Sequence, residues 1–356
     1  MSKYLKNRYQ SLQVYTPGEQ PQDMVYTKLN TNESPYPAAP QVVASIDKAA
    51  IENLRLYSDP QCKPLINKIS EVYDVLPENV FVSNGSDDIL NFSFMAFSGE
   101  PGKVVFPDIS YGFYQVYADL YQIETITPAL LDDFSINPAD YYNRDCMVVL
   151  ANPNAQVGRA LSMHQLEAII SSNRDHVVLI DEAYVDFGAE SCVPLVKKYD
   201  NLLVVQTFSK SRSMAGARLG FAIGSKELIE DLNRIKYSTN PYNVNRLTMT
   251  AGVAALEAEE YYKANCQKII EARDYTIRAL TELGFYVVPS VSNFVLAQHP
   301  SVSGDTIYRK LKQHGILVRH FSDARIQNYN RITIGTQQQM EHLVKTLQLI
   351  VGGNDQ

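Results

Sequence analysis

Residues 104–106, 146–150, 177–180 and 202–205 are apolar at every position and rich in β-branched side chains. A strand with one wet face alternates apolar and polar residues. A strand that is apolar throughout is covered on both faces, and this belongs to a mostly parallel sheet sandwiched between helices. Residues 80–82 and 219–224 read as further strands of the same sheet. Helical periodicity over 41–51, 62–73 and from Asp88 through Phe97 supplies covering layers. The pattern therefore predicts an α/β fold. After about residue 245 the texture changes. Helices are predicted over 247–257, 259–283, 305–314 and 338–351, with short strands at 286–288, 293–296 and 331–334. That is the pattern of a smaller α+β domain. The segment before residue 41 is polar and carries Pro17, Pro21, Pro35, Pro37 and Pro40. The expected division is an arm over 1–40 joining the small domain, a large domain over 41–245 and the small domain over 246–356.

Composition excludes several function classes. The chain of 356 residues has a formal charge of −7 and a pI near 5.5, so it lacks the cationic excess that phosphate backbones require; no nucleic-acid partner is expected. No apolar run approaches the length of a membrane span, and the first residues lack an apolar segment of signal-peptide type. The four cysteines Cys62, Cys146, Cys192 and Cys266 are far apart and form no CxxC, which points to free thiols in a reducing compartment. A cytoplasmic location is expected. The six histidines show no metal-ligand spacing, and no metal is expected. Phosphate-loop, dinucleotide and serine-hydrolase motifs are absent.

In an open α/β sheet the ligand lies beyond the carboxyl ends of the strands. After 80–82 come Gly85, Ser86 and Asp87. The glycine lets backbone approach a ligand, Ser86 reads as a helix N-cap, and the following helix start offers free N–H groups to an anion. After 146–150 comes Asn154, after 177–180 come Asp181 and Tyr184, and after 202–205 come Thr207, Ser209 and Lys210. An acid, an amide, a phenol, an amine and an anion cradle are thereby expected along one sheet edge.

The stretch Ser209-Lys210-Ser211-Arg212-Ser213-Met214-Ala215-Gly216-Ala217-Arg218-Leu219-Gly220 resembles the lysine segment of fold-type I pyridoxal-phosphate enzymes. The resemblance runs the whole length of the chain. Lys28-Leu29-Asn30-Thr31-Asn32-Glu33-Ser34-Pro35-Tyr36, Leu56-Tyr57-Ser58-Asp59-Pro60, Asp181-Glu182-Ala183-Tyr184, Gly315-Ile316-Leu317-Val318-Arg319 and Asn330-Arg331-Ile332-Thr333-Ile334-Gly335 are similar to segments of the histidinol-phosphate aminotransferases.

This resemblance implies a fold-type I architecture, with a mostly parallel seven-stranded sheet between helices and a small α+β domain. It implies transamination of histidinol phosphate with 2-oxoglutarate, glutamate being the other product. Lys210 is then the amine that captures the aldehyde of pyridoxal 5'-phosphate, and later the base at the substrate Cα. Asp181 pairs with the pyridine nitrogen, and Tyr184 and Asn154 bond the ring hydroxyl. Tyr111 stacks on the ring. Arg218, Thr207, Ser209 and the backbone of Gly85, Ser86 and Asp87 hold the phosphate. Tyr57 reaches the cofactor phosphate of a second subunit in a homodimer. Arg331 binds the substrate carboxylate, and with Arg319 the phosphate of histidinol phosphate, while Tyr15 and Asn30 line the entrance from the arm. Two departures stand out. The turn 153–158 carries Ala155 where the family has a second asparagine, and Arg212 adds a cation expected near the phosphate. A related aromatic aminotransferase or a phosphothreonine-type decarboxylase is the alternative on the same fold.

Overall fold

The computed structural model describes residues 2–10, 12 and 15–353. Its strands in chain order are β1 (Thr27–Lys28), β2 (Val80–Ser83), β3 (Lys103–Val105), β4 (Glu124–Ile126), β5 (Met147–Ala151), β6 (Val178–Asp181), β7 (Leu202–Thr207), β8 (Gly220–Gly224), β9 (Tyr286–Val288), β10 (Phe294–Gln298), β11 (Ile316–Leu317), β12 (Arg319–His320) and β13 (Asn330–Thr333). Seven of them form one sheet in the order β2-β8-β7-β6-β5-β3-β4. β8 runs antiparallel to both neighbours, and the pairs from β7 to β4 are parallel.

The apolar runs find their explanation in two cores, one on each face. Along β6, Leu179 packs into one cluster and Val178 and Ile180 into the other. β5 and β7 divide in the same way, with Met147, Val149, Leu203 and Val205 on one side and Val148, Leu150, Leu202 and Val204 on the other. Every residue of these three strands is buried. At about 1.5–3 kcal/mol for each fully buried aliphatic side chain, this double coverage fixes the position of the strand ends.

The register brings those ends to one edge. Ser83, at the end of β2, and Thr207, at the end of β7, both pair with Gly220, the start of β8. Ala151, ending β5, pairs with Asp181, ending β6. The helix Ser86–Phe97 starts from the same edge.

Two smaller sheets follow. β12-β13-β10-β9 is antiparallel, and β1 in the arm pairs in parallel with β11. The helical period over 41–51 is interrupted and gives two short helices, Pro40–Ser45 and Lys48–Glu52. The long helix over 259–283 forms as Glu259–Glu282. All four cysteines are buried free thiols. Among the described residues no helix is long and apolar enough to cross a membrane.

Candidate active site

Two cavities adjoin at the carboxyl edge of the large sheet. One, of about 170 Å³, is lined by Ser86, Asp87, Tyr111, Asp181, Tyr184, Thr207, Ser209, Lys210 and Arg218, with Thr31, Glu33, Ala155, Ala183 and Ala215 completing its wall. The other, of about 310 Å³, shares Thr31, Tyr111, Ala155, Tyr184 and Lys210 with it and adds Tyr15, Asn30, Asn32, Gln156, Arg319 and Arg331. Lys210 thus stands between an acid-and-anion cradle and a chamber with two guanidinium groups. Its Nζ lies 3.4 Å from the carbonyl oxygen of Thr31 and 5.7 Å from the centre of the Tyr184 ring.

Asp181 is the last residue of β6 and is buried. Its Oδ2 accepts from the hydroxyl of Tyr114 at 2.8 Å, and its Oδ1 from the Ala183 amide at 3.1 Å. Burial pushes this carboxyl up to about 6, against the two hydrogen bonds, which pull it down. A buried carboxylate whose desolvation outweighs its two hydrogen bonds is suited to a cationic partner that arrives with a ligand.

The cradle depends on two glycines. Gly85 has φ +85°, a left-handed conformation that side chains resist. A Cβ on Gly220 would lie 2.4 Å from the Ser86 amide nitrogen, so only glycine lets β8 pass this close to the helix start. The N-cap of the helix is Gly85, and Ser86 is its first residue, which corrects the capping role expected for Ser86. The first-turn amides therefore lack a capping side chain. Arg218, itself at φ +54°, donates from Nη2 to Oδ2 of Asp87 at 2.7 Å, and Asp87 Oδ1 accepts from the Tyr111 hydroxyl at 2.7 Å. Thr207 Oγ1 and Ser209 Oγ, 3.0 Å apart, close the cradle.

In the larger chamber Arg331 Nη1 donates to the carbonyl of Ala155 at 2.8 Å and to Gln156 Oε1 at 2.9 Å. Its guanidinium packs on Phe294 and Phe321, and its Nε is buried without a hydrogen-bond partner. Arg319 donates to the carbonyls of Thr16 and Pro17, tying the arm across the chamber. Tyr15 packs against Phe113 with ring centres 4.3 Å apart. Asn30 donates to the carbonyl of Glu19 at 2.9 Å.

Two further expectations need correction. Asn154 lines neither cavity. Its Nδ2 donates to the Ile109 carbonyl at 2.9 Å, and its Oδ1 accepts from the amides of Gln156 and Val157 at 2.9 and 3.2 Å. Its polar atoms are thus occupied in building the turn, and Ala155 is the turn residue on the cavity wall. Arg212 does not join the phosphate cradle either. It lies in a separate cavity of about 230 Å³ behind the lysine segment, where Nη2 donates to the Tyr73 hydroxyl at 3.1 Å and Asp186 faces it at 3.6 Å. Tyr57 is outside both cavities, 79% exposed and stacked on Tyr242.

Three residues escaped the reading of strand ends: Tyr114, Asn32 and Gln156. Tyr114 lies three residues after Tyr111, a spacing that could have flagged it. Asn32 donates to the Tyr184 hydroxyl at 3.0 Å, and no local pattern joins positions so distant in sequence.

The model of the family described as aminotransferase class I and II matches residues 25–347. A histidinol-phosphate aminotransferase of Brachyspira hyodysenteriae is 48% identical over 352 residues, covering 99% of each chain. Among solved structures, a histidinol-phosphate aminotransferase from Sinorhizobium meliloti in complex with pyridoxal-5'-phosphate is similar with a TM-score of 0.83, at 22% identity over 93% of this chain and 92% of that one. An L-threonine-O-3-phosphate decarboxylase from Porphyromonas gingivalis has the same fold with a TM-score of 0.80, at 23% identity over 91% and 99% of the two chains.

Proposed function

The chain belongs to the histidinol-phosphate aminotransferases within aminotransferase class I and II, and on that premise we propose the residue roles and second substrate of its reaction. It is a pyridoxal-phosphate-dependent aminotransferase of histidine biosynthesis that transaminates histidinol phosphate. The cradle fits the cofactor: Gly85 and Gly220 keep side chains out of a space faced by amides, two hydroxyls and Arg218, and the buried Asp181 carboxylate lies along the same cavity. When bound, the cofactor supplies an electron sink for the bond broken at the substrate Cα.

The protein groups divide the work. The Ser86 amide, Thr207, Ser209 and Arg218 hold the phosphate, and Tyr111 covers a ring face. Asp181 holds a proton on the ring nitrogen. Its carboxyl ionises only at a cost in this pocket, and a cation beside it removes that cost. Tyr184 bonds the ring hydroxyl. Lys210 would hold the cofactor, and its free amine would carry the proton from the substrate Cα.

Arg331 takes the carboxylate of 2-oxoglutarate, and Arg331 with Arg319 takes the phosphate of histidinol phosphate. A guanidinium fork suits both anions, so one chamber serves two unlike substrates in turn. Tyr15 and Asn30 form the arm wall of that chamber. The observation that carries the reading is the position of Lys210 between the Asp181–Arg218 cradle and the two-arginine chamber. The reading keeps the division into an arm over 1–40, a large domain over 41–245 and a small domain over 246–356, and a cytoplasmic location.

The active unit is a homodimer in which Tyr57 serves the partner's cofactor phosphate. Its support is the exposure of Ile51, Leu54, Leu56 and Tyr57 within one short segment, an apolar surface suited to cover by a second copy. The test is a set of half-reactions. Mixing holoenzyme with L-histidinol phosphate shifts the visible absorbance to that of the amine form of the cofactor, and 2-oxoglutarate restores it. A shift with aromatic amino acids alone reassigns the substrate, and CO2 release without any need for a keto acid reassigns the reaction class.

A further inference from the structure

We propose that Asn32 is a positioning residue that sets the polarity of the Tyr184 hydroxyl, so that Tyr184 meets the cofactor's ring oxygen as a hydrogen-bond donor. The inference rests on the cofactor reading above and goes beyond it, because it concerns a residue that acts through another one.

Asn32 is buried at the junction of the arm, β13 and the large sheet. It sits at φ +57°, a conformation asparagine tolerates better than most residues. Both ends of its side chain are engaged. The hydroxyl of Thr333 accepts from the Asn32 backbone N–H at 2.9 Å, and the same oxygen donates to the side-chain Oδ1 of Asn32 at 3.0 Å. Asn293 Nδ2 donates to the Asn32 carbonyl at 3.0 Å, which fixes the backbone. With Oδ1 committed to Thr333, the amide turns its Nδ2 toward Tyr184 and donates to that hydroxyl at 3.0 Å.

The consequence is directional. A phenol oxygen that accepts from Nδ2 has its own proton free, and Tyr184 lines both cavities, so the proton is available to the cavity. An acceptor at position 32 would reverse this and draw the proton away. Nothing in the facing turn compensates, because Ala155 has no polar side-chain atom. The other titratable or charged groups that share these cavities with Tyr184 or act on it are Lys210, Asp181, Asp87, Glu33, Arg218, Arg319, Arg331, Tyr111, Tyr114 and Tyr15. Among the described residues none of these is hydrogen-bonded to its hydroxyl, and Asn32 is its partner.

The test is a pH titration of the visible absorbance of the cofactor-loaded protein, which reads ionisation at the cofactor and not turnover. A donor to the ring oxygen favours its anionic form, so loss of the donor raises the midpoint. Tyr184→Phe raises it by about one to two pH units, the worth of one hydrogen bond to a charged group. Asn32→Asp keeps the shape, reverses the polarity and raises the midpoint by a similar amount. Asn32→Ala deletes the donor without adding charge and gives a smaller rise. In the Tyr184→Phe background Asn32→Ala adds nothing, since its effect passes through the missing hydroxyl. The proposal is overturned if Asn32→Ala and Asn32→Asp leave the midpoint where it was. It is equally overturned if the Asn32→Ala shift is undiminished in the Tyr184→Phe background. Wild-type protein that takes up pyridoxal phosphate without any visible band would overturn the cofactor reading instead.

Discussion

Replacing Asp181 by Asn removes a charge that burial makes costly, and the cost can be worked out. The carboxyl has an ordinary value of 3.8 and is pushed by burial up to about 6 in the folded chain. As pH rises from about 4, the unfolded chain gives up this proton first, and its ionisation favours unfolding. The cofactor-free protein therefore loses stability as pH rises through the folded value near 6, and the loss is constant above it. About two pKa units correspond to roughly 3 kcal/mol. Asn cannot ionise, and its amide still fits: Oδ1 accepts from the Ala183 amide, while the Tyr114 hydroxyl turns to accept from Nδ2. The Asp181→Asn apoprotein is thus expected to gain about 0.5 kcal/mol at pH 4, rising to about 3 kcal/mol at pH 8. Equilibrium urea unfolding of both apoproteins across that range measures it. On the role proposed for Asp181 as the partner of the ring nitrogen, pyridoxal phosphate is expected to bind this variant more weakly. A stability gain that does not grow with pH, or a loss at pH 8, would refute the claim that Asp181 carries an uncompensated charge in the apoprotein.

Three further outcomes follow from particular contacts. Arg331→Lys removes the planar fork held by Ala155 and Gln156, and should raise KM for histidinol phosphate and for 2-oxoglutarate together by about tenfold to a hundredfold, read from steady-state kinetics. Gly220→Ala puts a methyl group 2.4 Å from the Ser86 nitrogen; spectroscopic titration should show cofactor affinity lowered by at least about tenfold, and urea unfolding a stability cost of about 1–3 kcal/mol. On the proposed homodimer, Tyr57→Ala is expected to weaken cofactor retention while leaving the fold of the chain unchanged, since this side chain is 79% exposed; cofactor release on gel filtration against far-UV circular dichroism checks it.

Glu182, next in sequence to Asp181, faces the opposite way and shows how much of this region escapes a linear reading. Its carboxylate is buried and accepts from Ser191, Gln206 and the Cys192 amide, while burial pushes it up to about 7. From sequence, Asp181 and Glu182 are a pair of acids at a strand end. In the fold, one lines the cavity and the other organises a polar network behind the sheet, because the alternation of β6 carries into the residue just past its end.

Positions set by local rules were legible in the chain alone. Continuous apolar runs defined the buried strands, and the residues just past them, Gly85, Asp181, Thr207 and Lys210, had to share an edge because parallel strands end on the same side. Side-chain direction inside the turns and across distant segments was not legible. Asn154 and Ala155 are neighbours, and only the closed turn decided that the amide faces inward to the backbone and the methyl group faces the cavity. Asn32, Tyr184 and Thr333 meet through the docking of the arm on β13, an alignment created by packing over hundreds of intervening residues. Local sequence governs where a strand stops, whereas the partner of a buried hydroxyl is chosen by whichever remote segment fills the space beside it.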